Sequence, residues 1–465
     1  MIPAVTLAMA GVTHATLMKH LFPGDGLEAA ALLVCSRSPA PRRRLAVRTA
    51  IPVSYEVCSH RGPDAIVWPG SYIEMAIDAA EEEGLTIILL HSHPGGWLDF
   101  SKVDDKSDER VIPGIFQAFG DRHGSAVMTP DGAVRARLYS PEMECEPVDL
   151  VTVAGDDISY WWSAEIASGV LPRRSLPFTS DMTSELGRLS AAVIGVSGTG
   201  SIVGEQIARL GFGHVLLVDP DKVEKKNLNR ILNSTLADAE TARLKVEMFA
   251  GAIESYREPG IARAMPLEVG TREAIEAVAQ CDVIFCCVDS QEGRMFTDKI
   301  AAAFLIPLFD VGVVIPTFVK DEMPAIADVC GRIDYVQPGG STLSDRGVYT
   351  PKGLRNEDLR RTDPDAFADE VRQGYIKGLP EEAPSVISLN MRAASTVVNE
   401  FIARAFPYRL EANRHYARTM FSLAGCDEEH SAEDDFQRAG SNFLGRGSQE
   451  PLLGMPAFRK RRKPE

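Results

Sequence analysis

Two histidines that could bind a metal follow an apolar run near residue 90. The stretch TIILLHSHP contains His91 and His93. Residues two apart on a strand face the same side, so both imidazoles can converge on one ion. Asp104, in a predicted loop, could supply a third ligand, and two histidines with one carboxylate suit a catalytic zinc that keeps an open position. The alternative is that the histidines only cap a strand and that Asp99, Asp104 and Asp105 are solvated loop charges.

A glycine-rich turn in the middle of the chain is a second candidate site. The stretch VIGVSGTGS places Gly195, Gly198 and Gly200 between a predicted strand and a helix, where backbone N–H groups can approach phosphates. Ser197 stands where a dinucleotide enzyme would have its second glycine, which disfavours an NAD-dependent oxidoreductase. The next strand ends in LLVDPD, whose acidic residue is placed for ribose hydroxyls. Alone, this pattern predicts a nucleotide-binding fold and nothing finer.

Composition limits the class of protein. A length of 465 residues predicts two or three domains. The net charge of −16 argues against nucleic acid as a partner. Eight scattered cysteines form no CxxC pair, which predicts a cytoplasmic protein without a disulfide framework. The longest apolar region, 301–319, is broken by Pro307, Asp310 and Pro316, so we expect no membrane span.

The hydrophobic pattern predicts two folded domains of the α/β class. We expect a domain over residues 1–150 that begins with a helix at about 1–22 and continues with mixed strands and helices. A helical or irregular linker is predicted over 151–185. From residue 186 to 465, apolar strands alternate with amphipathic helices, which predicts a doubly wound, mostly parallel sheet.

The first site carries a family motif. H-x-H-P, then Ser101 and, three residues later, Asp104, resembles the JAB/MPN (JAMM) metalloenzymes, zinc isopeptidases that act on ubiquitin-like proteins. The resemblance covers roughly the first 140 residues and implies an α+β, cytidine-deaminase-like domain. It also implies that Zn²⁺ is held by His91, His93 and Asp104.

The same resemblance assigns two further roles. The family's general base is a glutamate at the start of an early apolar strand, and Glu28 in GLEAAALLV matches it. Asp25 and Glu56 remain alternatives in this domain. Ser101 would donate a hydrogen bond to the oxyanion of the tetrahedral intermediate.

The second site continues into the string DKVEKKNLNRI, which resembles the E1/ThiF/MoeB superfamily. These Rossmann-like enzymes adenylate the C-terminal glycine of ubiquitin-like proteins or sulfur carriers, and the resemblance runs from about residue 189 to 406. It implies ATP and Mg²⁺ as cofactors. The residues it assigns to them are Asp219 and Asp221 of the D-x-D pair, Asn227 and Arg230 for the triphosphate, Lys245 for the phosphates and Asp289 for Mg²⁺.

This second half departs from the family at two points. The stretch PGGSTLSDRG has no cysteine where many relatives bind a structural zinc. Cys330 is the nearest candidate for a thioester nucleophile, with Cys426 weaker, and an incidental thiol is the alternative for both. Relatives also donate an arginine across a homodimer, for which Arg173, Arg174 and Arg188 lie in the right region.

The two resemblances together predict a fused enzyme. We expect E1-like activation of a ubiquitin-like protein, combined with isopeptidase processing of the same protein in a bacterial ubiquitin-like system. A homodimer through the E1-like domain and an E2-like partner are part of this expectation. The alternatives are sulfur-carrier activation with tail trimming, and a non-catalytic scaffold that binds the ubiquitin-like protein.

Overall fold

The computed structural model describes residues 2–163, 174–320, 323–372 and 386–459, which fall into two compact units. One unit comprises Pro3–Arg174 together with Ala302–Ile306 and the chain from Ser441 onward. The other comprises Ser175–Ala301 and Pro307–Gly440. The prediction of a single second domain over 186–465 therefore differs from this division, because two later segments cluster with the first unit.

The first unit is built on a nine-stranded mixed sheet with the order β11-β10-β1-β3-β2-β6-β7-β8-β9, and β4 and β5 form a separate pair. Its elements are β1 (Val5–Ala10), α1 (Gly11–Leu21), β2 (Ala30–Arg37), β3 (Arg43–Pro52), β4 (His60–Arg61), β5 (Ile66–Val67), α2 (Ser71–Ala80), β6 (Thr86–Ser92), α3 (Lys102–Ala118), β7 (His123–Met128), β8 (Val134–Tyr139), β9 (Cys145–Pro147), β10 (Leu150–Ala154) and β11 (Ile158–Trp162).

Both faces of this sheet are covered by helices. On β2, Ala31 and Leu33 pack in a core that includes residues of α1. Leu32 and Val34 point to the other face and pack with residues of α2 and α3. Because side chains alternate across a strand, a strand that is buried on both faces becomes almost continuously apolar, as the AALLVC run is.

Two expectations for the first half are wrong. Residues Val5–Ala10 form a fully buried strand rather than the start of a helix, and β1 pairs in parallel with β3 and β10. A short apolar run that is buried on both faces cannot be distinguished from a helix by periodicity alone. The predicted helical or irregular linker also begins too early, because Leu150–Ala154 and Ile158–Trp162 form an antiparallel pair at the sheet edge.

The second unit contains an eight-stranded sheet with the order β14-β13-β12-β15-β16-β19-β20-β21, and a separate hairpin of β17 and β18. Its elements are α4 (Ser180–Leu186), β12 (Ser190–Ile194), α5 (Gly198–Leu210), β13 (His214–Val218), α6 (Leu236–Glu240), α7 (Lys245–Glu254), β14 (Ala262–Met265), α8 (Arg272–Val278), β15 (Val283–Cys286), α9 (Gln291–Phe304), β16 (Leu308–Val314), β17 (Thr317–Lys320), β18 (Met323–Ile326), β19 (Cys330–Val336), α10 (Pro351–Thr362), α11 (Pro364–Arg372), α12 (Ile387–Ala405), β20 (Arg418–Ser422) and β21 (Asp427–Ser431).

Strands β12 to β16, in the order β14-β13-β12-β15-β16, pair in parallel, and β19 to β21 add an antiparallel extension. The predicted doubly wound α/β fold is thus confirmed. The chain moves from β12 to β13 on one side and later returns to β15 on the other side. This reversal creates a crevice at the carboxyl ends of β12 and β15, where ligands bind in open α/β sheets.

Helix α12 packs on the sheet through a group of aromatic rings. The ring of Phe401 lies 5.4 Å from that of Phe212, 5.9 Å from Phe285 and 5.8 Å from Phe309, measured between centroids. All four rings are buried. Such offset and edge-to-face pairs stabilise beyond their buried area, and they fix the position of α12 beside the strands that form the crevice. Across the described parts of the chain, no helix combines the length and apolarity that a membrane span requires.

Candidate metal and nucleotide sites

The two histidines lie at the end of a strand in the middle of the first sheet. His91 is paired with Ala30 of β2 and with Val127 of β7. The backbone N–H of His93 donates to the carbonyl of Met128 at 2.8 Å, so the pairing continues past the end of β6. Neighbouring strands on both sides therefore hold the H-x-H segment in an extended form, as the spacing argument requires.

Four predicted side chains converge at this strand end. The Nε2 atoms of His91 and His93 are 3.0 Å apart. Ligand atoms of Glu28, His91 and His93 all lie within 4.8 Å of one another. The Asp104 carboxylate lies 3.1 Å from Nε2 of His91 and 3.5 Å from Nε2 of His93. The structure thus brings together the three predicted ligands and the predicted general base.

A backbone carbonyl orients one imidazole for metal binding. The Nδ1 atom of His93 lies 2.7 Å from the carbonyl oxygen of Trp97. Because a carbonyl can only accept, Nδ1 must carry the hydrogen, and neutral His93 then keeps a lone pair on Nε2. Such a hydrogen bond on the far ring nitrogen is the usual support of a metal-binding histidine.

Asp104 comes from a helix rather than from the predicted loop. It lies in the first turn of α3, whose N-cap is Ser101. The Ser101 hydroxyl oxygen accepts the N–H groups of Val103 and Asp104 at 3.2 Å, and the Asp104 carboxylate accepts the Ser101 N–H at 2.6 Å. This capping box fixes the carboxylate beside the histidines, and the S-x-x-D spacing was a readable signal for it. The Ser101 hydroxyl hydrogen can still donate to an oxyanion.

The two carboxylates of the cluster, those of Glu28 and Asp104, have pKa values shifted in opposite directions. Burial raises the pKa of Glu28 to about 7, partly opposed by attraction to His93. For Asp104, burial alone would raise the pKa, but hydrogen bonds from His91 and His93 outweigh it and hold the pKa well below its usual range. Burial would lower the pKa of His93, yet hydrogen bonds to Asp104 and Trp97 raise it overall. Asp104 is therefore a permanent anion, whereas Glu28 can take and release a proton near neutral pH.

The donor set fits zinc. Two imidazole nitrogens and an ionised carboxylate are ligands that catalytic zinc uses, and a fourth position stays open. His91, His93 and Asp104 would hold the ion, with Glu28 beside it. The close approach of two imidazole nitrogens to each other and to one carboxylate is the arrangement expected of side chains that share a cation.

A cavity of about 610 Å³ occupies the crevice of the second unit. Its lining includes every residue that the sequence assigned to nucleotide and Mg²⁺ except Gly200, namely Gly195, Gly198, Asp219, Asp221, Asn227, Arg230, Lys245 and Asp289. Residues from the ends of β12, β13 and β15 thus meet at one place. This is the position that the reversal of strand order predicts for a ligand.

The glycine-rich turn is shaped by close backbone contacts. Gly195 has a positive φ of 85°, which favours glycine. A Cβ atom on Gly200 would overlap the carbonyl oxygen of Gly195. Gly200 therefore supports the turn from within α5, which explains why it does not line the cavity.

The acidic pair after β13 is held by backbone and by a lysine. The buried Asp219 carboxylate accepts the N–H of Val196 at 2.7 Å and that of Asp221 at 2.9 Å. The Lys245 amine lies 2.8 Å from the Asp221 carboxylate and 3.9 Å from that of Asp219. Burial raises the pKa of Asp219, with Lys245 opposing the change. Asp219 thus links the glycine-rich turn to the carboxyl end of β13, where the ribose of a bound nucleotide would lie.

The N-L-N-R string is folded so that its functional groups reach the cavity. Asn227 is buried, and its Oδ1 accepts the N–H of Glu224 at 3.0 Å, so that its amide hydrogens stay available. Arg230 donates to the carbonyl of Lys226 at 2.9 Å. Asp289 lies between β15 and the start of α9 and also lines the cavity.

Several cavity residues were missed by sequence reasoning, among them two polar residues from late in the chain. Arg361 of α10 lines the cavity and pairs with Glu292 at 3.1 Å. Asn390 of α12 lines it as well and is buried. Both lie more than 100 residues beyond the N-L-N-R string, and neither has a local sequence pattern that marks it.

Cys330 does not join this site. It lies in β19, where it pairs with Val314 and Ser422, and it is not among the residues that line the cavity. Burial, followed by a hydrogen bond with Asp328, raises the pKa of its thiol to about 11. A thiol with this pKa is a poor nucleophile at neutral pH. Of the arginines considered for a dimer contact, Arg174 lies 2.6 Å from Ser159 and Arg173 lies outside the described residues.

Family comparisons agree with both halves. The model for prokaryotic homologs of the JAB domain matches residues 12–139, and the ThiF family model matches residues 173–339. The chain therefore carries a JAB domain at its N-terminus and a ThiF-family, E1-like domain after it. This confirms the fusion that the motifs indicated.

Curated relatives match about a third of this chain or less. Ubiquitin-like modifier-activating enzyme 5 of Culex quinquefasciatus is 28% identical over 162 residues, which cover 32% of this chain and 37% of that protein. The protein of the same name from Oryza sativa subsp. japonica is 29% identical over 120 residues, covering 24% of this chain and 28% of the relative. The chain thus spans well under half the length of these relatives.

Among solved structures, the E. coli MccB structure with ATP superposes with a TM-score of 0.42 at 15% identity, covering 57% of this chain and 68% of that one. The MccB complex with N-formylated MccA gives a TM-score of 0.43 at 15% identity, covering 56% and 69%.

Proposed function

We propose that the ThiF domain adenylates the C-terminus of a ubiquitin-like protein and that the JAB domain hydrolyses bonds at such a C-terminus. The observation that supports this most directly is the crevice cavity, in which the glycine-rich turn, Arg230, Lys245 and Asp289 meet. Similarity to activating enzymes of ubiquitin-like modifiers supports the same substrate class.

In the proposed adenylation, the C-terminal carboxylate attacks the α-phosphorus of ATP. A carboxyl–phosphate bond forms, the bond between the α- and β-phosphates breaks, and pyrophosphate leaves with the electron pair. Arg230 and Lys245 neutralise charge on the phosphates, and the carboxylate of Asp289 holds Mg²⁺. The uncapped N-terminus of α5 supplies further N–H donors, because no side chain caps it.

In the proposed hydrolysis, water adds to the scissile carbonyl carbon and the C–N bond breaks. Glu28 accepts the proton of the attacking water and returns it to the leaving amine, for which a pKa of about 7 suits it. Ser101 donates its hydroxyl hydrogen to the oxyanion. When bound, zinc would act as a Lewis acid that polarises the carbonyl and acidifies water.

The two domains would share a substrate class, since both proposed chemistries act on the C-terminal tail of a ubiquitin-like protein. Sulfur-carrier activation with tail trimming uses the same residues and differs only in the fate of the activated tail. The non-catalytic scaffold is less well supported, because both side-chain sets are complete. The position and raised pKa of Cys330 favour release of the adenylate to a partner over a thioester on this residue.

Mass spectrometry of one mixture tests the proposal. The full chain, Mg·ATP and a ubiquitin-like protein that ends in a free glycine should yield the adenylate of that glycine and pyrophosphate. A second arm uses the same protein with a C-terminal extension, which the zinc-loaded chain should remove. Several bacterial ubiquitin-like and sulfur-carrier proteins should be tried in parallel.

Each arm has an outcome that contradicts its half of the proposal. No adenylate with any tested protein, despite bound ATP, would argue against the activating function. An intact extension in the presence of stoichiometric zinc would argue against the hydrolase. A thioester on Cys330 would contradict the proposed release of the adenylate.

A further inference from the structure

The pairing of the central strands stops just short of the proposed general base. Glu28 lies two residues before β2, which begins at Ala30. Its neighbour Ala29 is held by Ser92 of β6, whose backbone N–H donates to the Ala29 carbonyl at 2.9 Å. Glu28 lies one residue beyond this hydrogen bond, so the backbone that carries its carboxylate is fixed by other contacts.

Those contacts come from the hairpin of β4 and β5. The N–H of Glu28 donates to the carbonyl of Gly62 at 2.8 Å, and the carbonyl of Glu28 accepts the Nε hydrogen of Arg61 at 3.0 Å. The N–H of Gly62 donates to the carbonyl of Ala65 at 2.8 Å and closes the hairpin turn. Two consecutive residues of one hairpin therefore hold both backbone polar groups of Glu28.

The side chain of Arg61 is itself fixed from several sides. Its Nη1 lies 3.0 Å from the Asp25 carboxylate, and its guanidinium lies 4.2 Å from the ring centroid of Tyr55. The Tyr55 hydroxyl donates to the carbonyl of His20 in α1. The Arg61 side chain is only 13% exposed. Because a guanidinium is a rigid planar fork, it can serve Asp25 and Glu28 at once in a fixed geometry.

Stability alone is a weak reason for this arrangement. Asp25 is 38% exposed, and an ion pair with a partly solvated carboxylate adds little to stability. Burial of the arginine, by contrast, costs desolvation and side-chain entropy. The return is a fixed backbone at the residue that must place a carboxylate beside the attacking water. A displacement of about 1 Å in such a group can lower a rate by on the order of 10²-fold.

We propose that Arg61 is a positioning residue of the hydrolase site, whose guanidinium holds the Glu28 carbonyl and thereby directs the Glu28 carboxylate for proton transfer. This inference rests on the proposed hydrolysis. Arg61 acts through Glu28 and not on the substrate, so its loss should slow the chemical step and leave substrate affinity unchanged.

Cleavage by the full, zinc-loaded chain tests this, with a bacterial ubiquitin-like protein that carries a C-terminal extension as the substrate. Arg61→Ala should lower kcat by roughly 10- to 10²-fold with KM and zinc content unchanged. Arg61→Lys keeps a positive charge opposite Asp25, but a single amine cannot reproduce the fork that reaches both acceptors. Its kcat should therefore fall as well.

A second background separates positioning from a general structural role. In a chain that already contains Glu28→Gln, Arg61→Ala should not lower the single-turnover rate further, because no base is left to position. A structural role would lower the rate by the same factor in both backgrounds. The matched control is Arg37→Ala, since Arg37 ends the same strand β2 and pairs with Asp121 at 2.6 Å. It should change neither kcat nor KM.

The outcomes distinguish this inference from the hydrolysis proposal. If the unaltered chain leaves the extension intact, the hydrolysis proposal fails and this inference fails with it. If the unaltered chain cleaves and Arg61→Ala cleaves equally fast, only the role of Arg61 is refuted. Loss of zinc from Arg61→Ala, a raised KM at unchanged kcat, or an equal fall in the Glu28→Gln background would also overturn it. Full activity of Arg61→Lys would show that charge alone suffices and would refute the role of the guanidinium.

Discussion

The carboxylate of Asp104 lies 3.1 Å from Nε2 of His91, although the two residues belong to the first turn of α3 and the end of β6. The same carboxylate accepts the backbone N–H of Ser101 and so closes the capping box of α3. One side chain therefore links the start of a helix to the candidate zinc site. Any shift of α3 along its axis would move this proposed metal ligand.

Substitution of Asp104 by asparagine should release zinc while preserving the helix start. Asparagine keeps an oxygen that can accept the Ser101 N–H, but it lacks the negative charge that zinc requires. We expect metal content to fall from about one zinc per chain to background, measured by elemental mass spectrometry after desalting. Asp105→Asn is the control, because Asp105 pairs with Arg137 at 2.7 Å and is not part of the cluster. Equal loss in both variants would argue against Asp104 as the ligand.

Replacement of Glu28 by glutamine should abolish hydrolysis without loss of metal. The amide is of similar size but cannot accept a proton, so the rate of tail cleavage should fall by roughly 10²–10⁴-fold. Cleavage of an extended ubiquitin-like protein and zinc content are measured on the same preparation. Glu56→Gln is a suitable control, because Glu56 is exposed and hydrogen-bonds to Ser54. Loss of zinc in Glu28→Gln would instead place Glu28 among the ligands.

Removal of charge from the nucleotide cavity should stop adenylation. Arg230→Ala and Asp289→Asn remove a cation near the phosphates and the proposed Mg²⁺ ligand, and each should lower ATP–pyrophosphate exchange by on the order of 10²-fold or more. The assay is run with the ubiquitin-like protein that proves competent. Lys225→Ala serves as control, since Lys225 is exposed and does not line the cavity. Undiminished exchange in both cavity variants would refute their assignment.

Acid should stabilise the second unit through Asp298. This buried residue of α9 accepts the hydroxyl of Tyr349 at 2.9 Å, and burial raises its pKa to about 6. The folded state then binds more protons than the unfolded state between about pH 4 and 6, since a free aspartate has a pKa of about 3.9. Stabilisation by the protonated form is complete below this window and is lost as the pH rises through 6.

Calorimetric unfolding of the full chain across this pH range provides the measurement. The difference in unfolding free energy between the unaltered chain and Asp298→Asn should change by about 2 kcal/mol between pH 4 and 7, in favour of the unaltered chain at low pH. Taking the difference between the two proteins cancels the contribution that all other carboxylates make to the pH dependence of the unfolding free energy. A pH-independent difference would show that Asp298 has an ordinary pKa.

Many residues of both candidate sites could be predicted from the sequence, because they lie close together in short motifs whose spacing fixes their relative positions. The H-x-H spacing places His91 and His93 on one side of any extended strand, and the glycine-rich turn must connect a strand to a helix. The S-x-x-D spacing of Ser101 and Asp104 also marks a helix start, although we first expected a loop there. Alternation of apolar strands and helices was sufficient to predict the doubly wound sheet, and strand order then located its crevice.

Other features depend on packing between distant segments. The strand at Val5–Ala10 and the pair at residues 150–162 are buried by neighbours that no local pattern identifies. The assignment of the chain from Ser441 onward to the first unit is equally non-local. The carbonyl of Trp97 that orients His93 depends on the path of the loop between them.

The sequence by itself determined the types of side chain available, their spacing along strands and turns, and hence the two kinds of chemistry. Only the tertiary structure decided which of them meet. Asp104 reaches His91 because α3 begins where β6 ends, and Asn390 reaches Gly198 because α12 is packed onto the sheet by Phe401. Periodicity specifies which face of an element is buried, but the partner that covers that face is set by the packing of the whole domain.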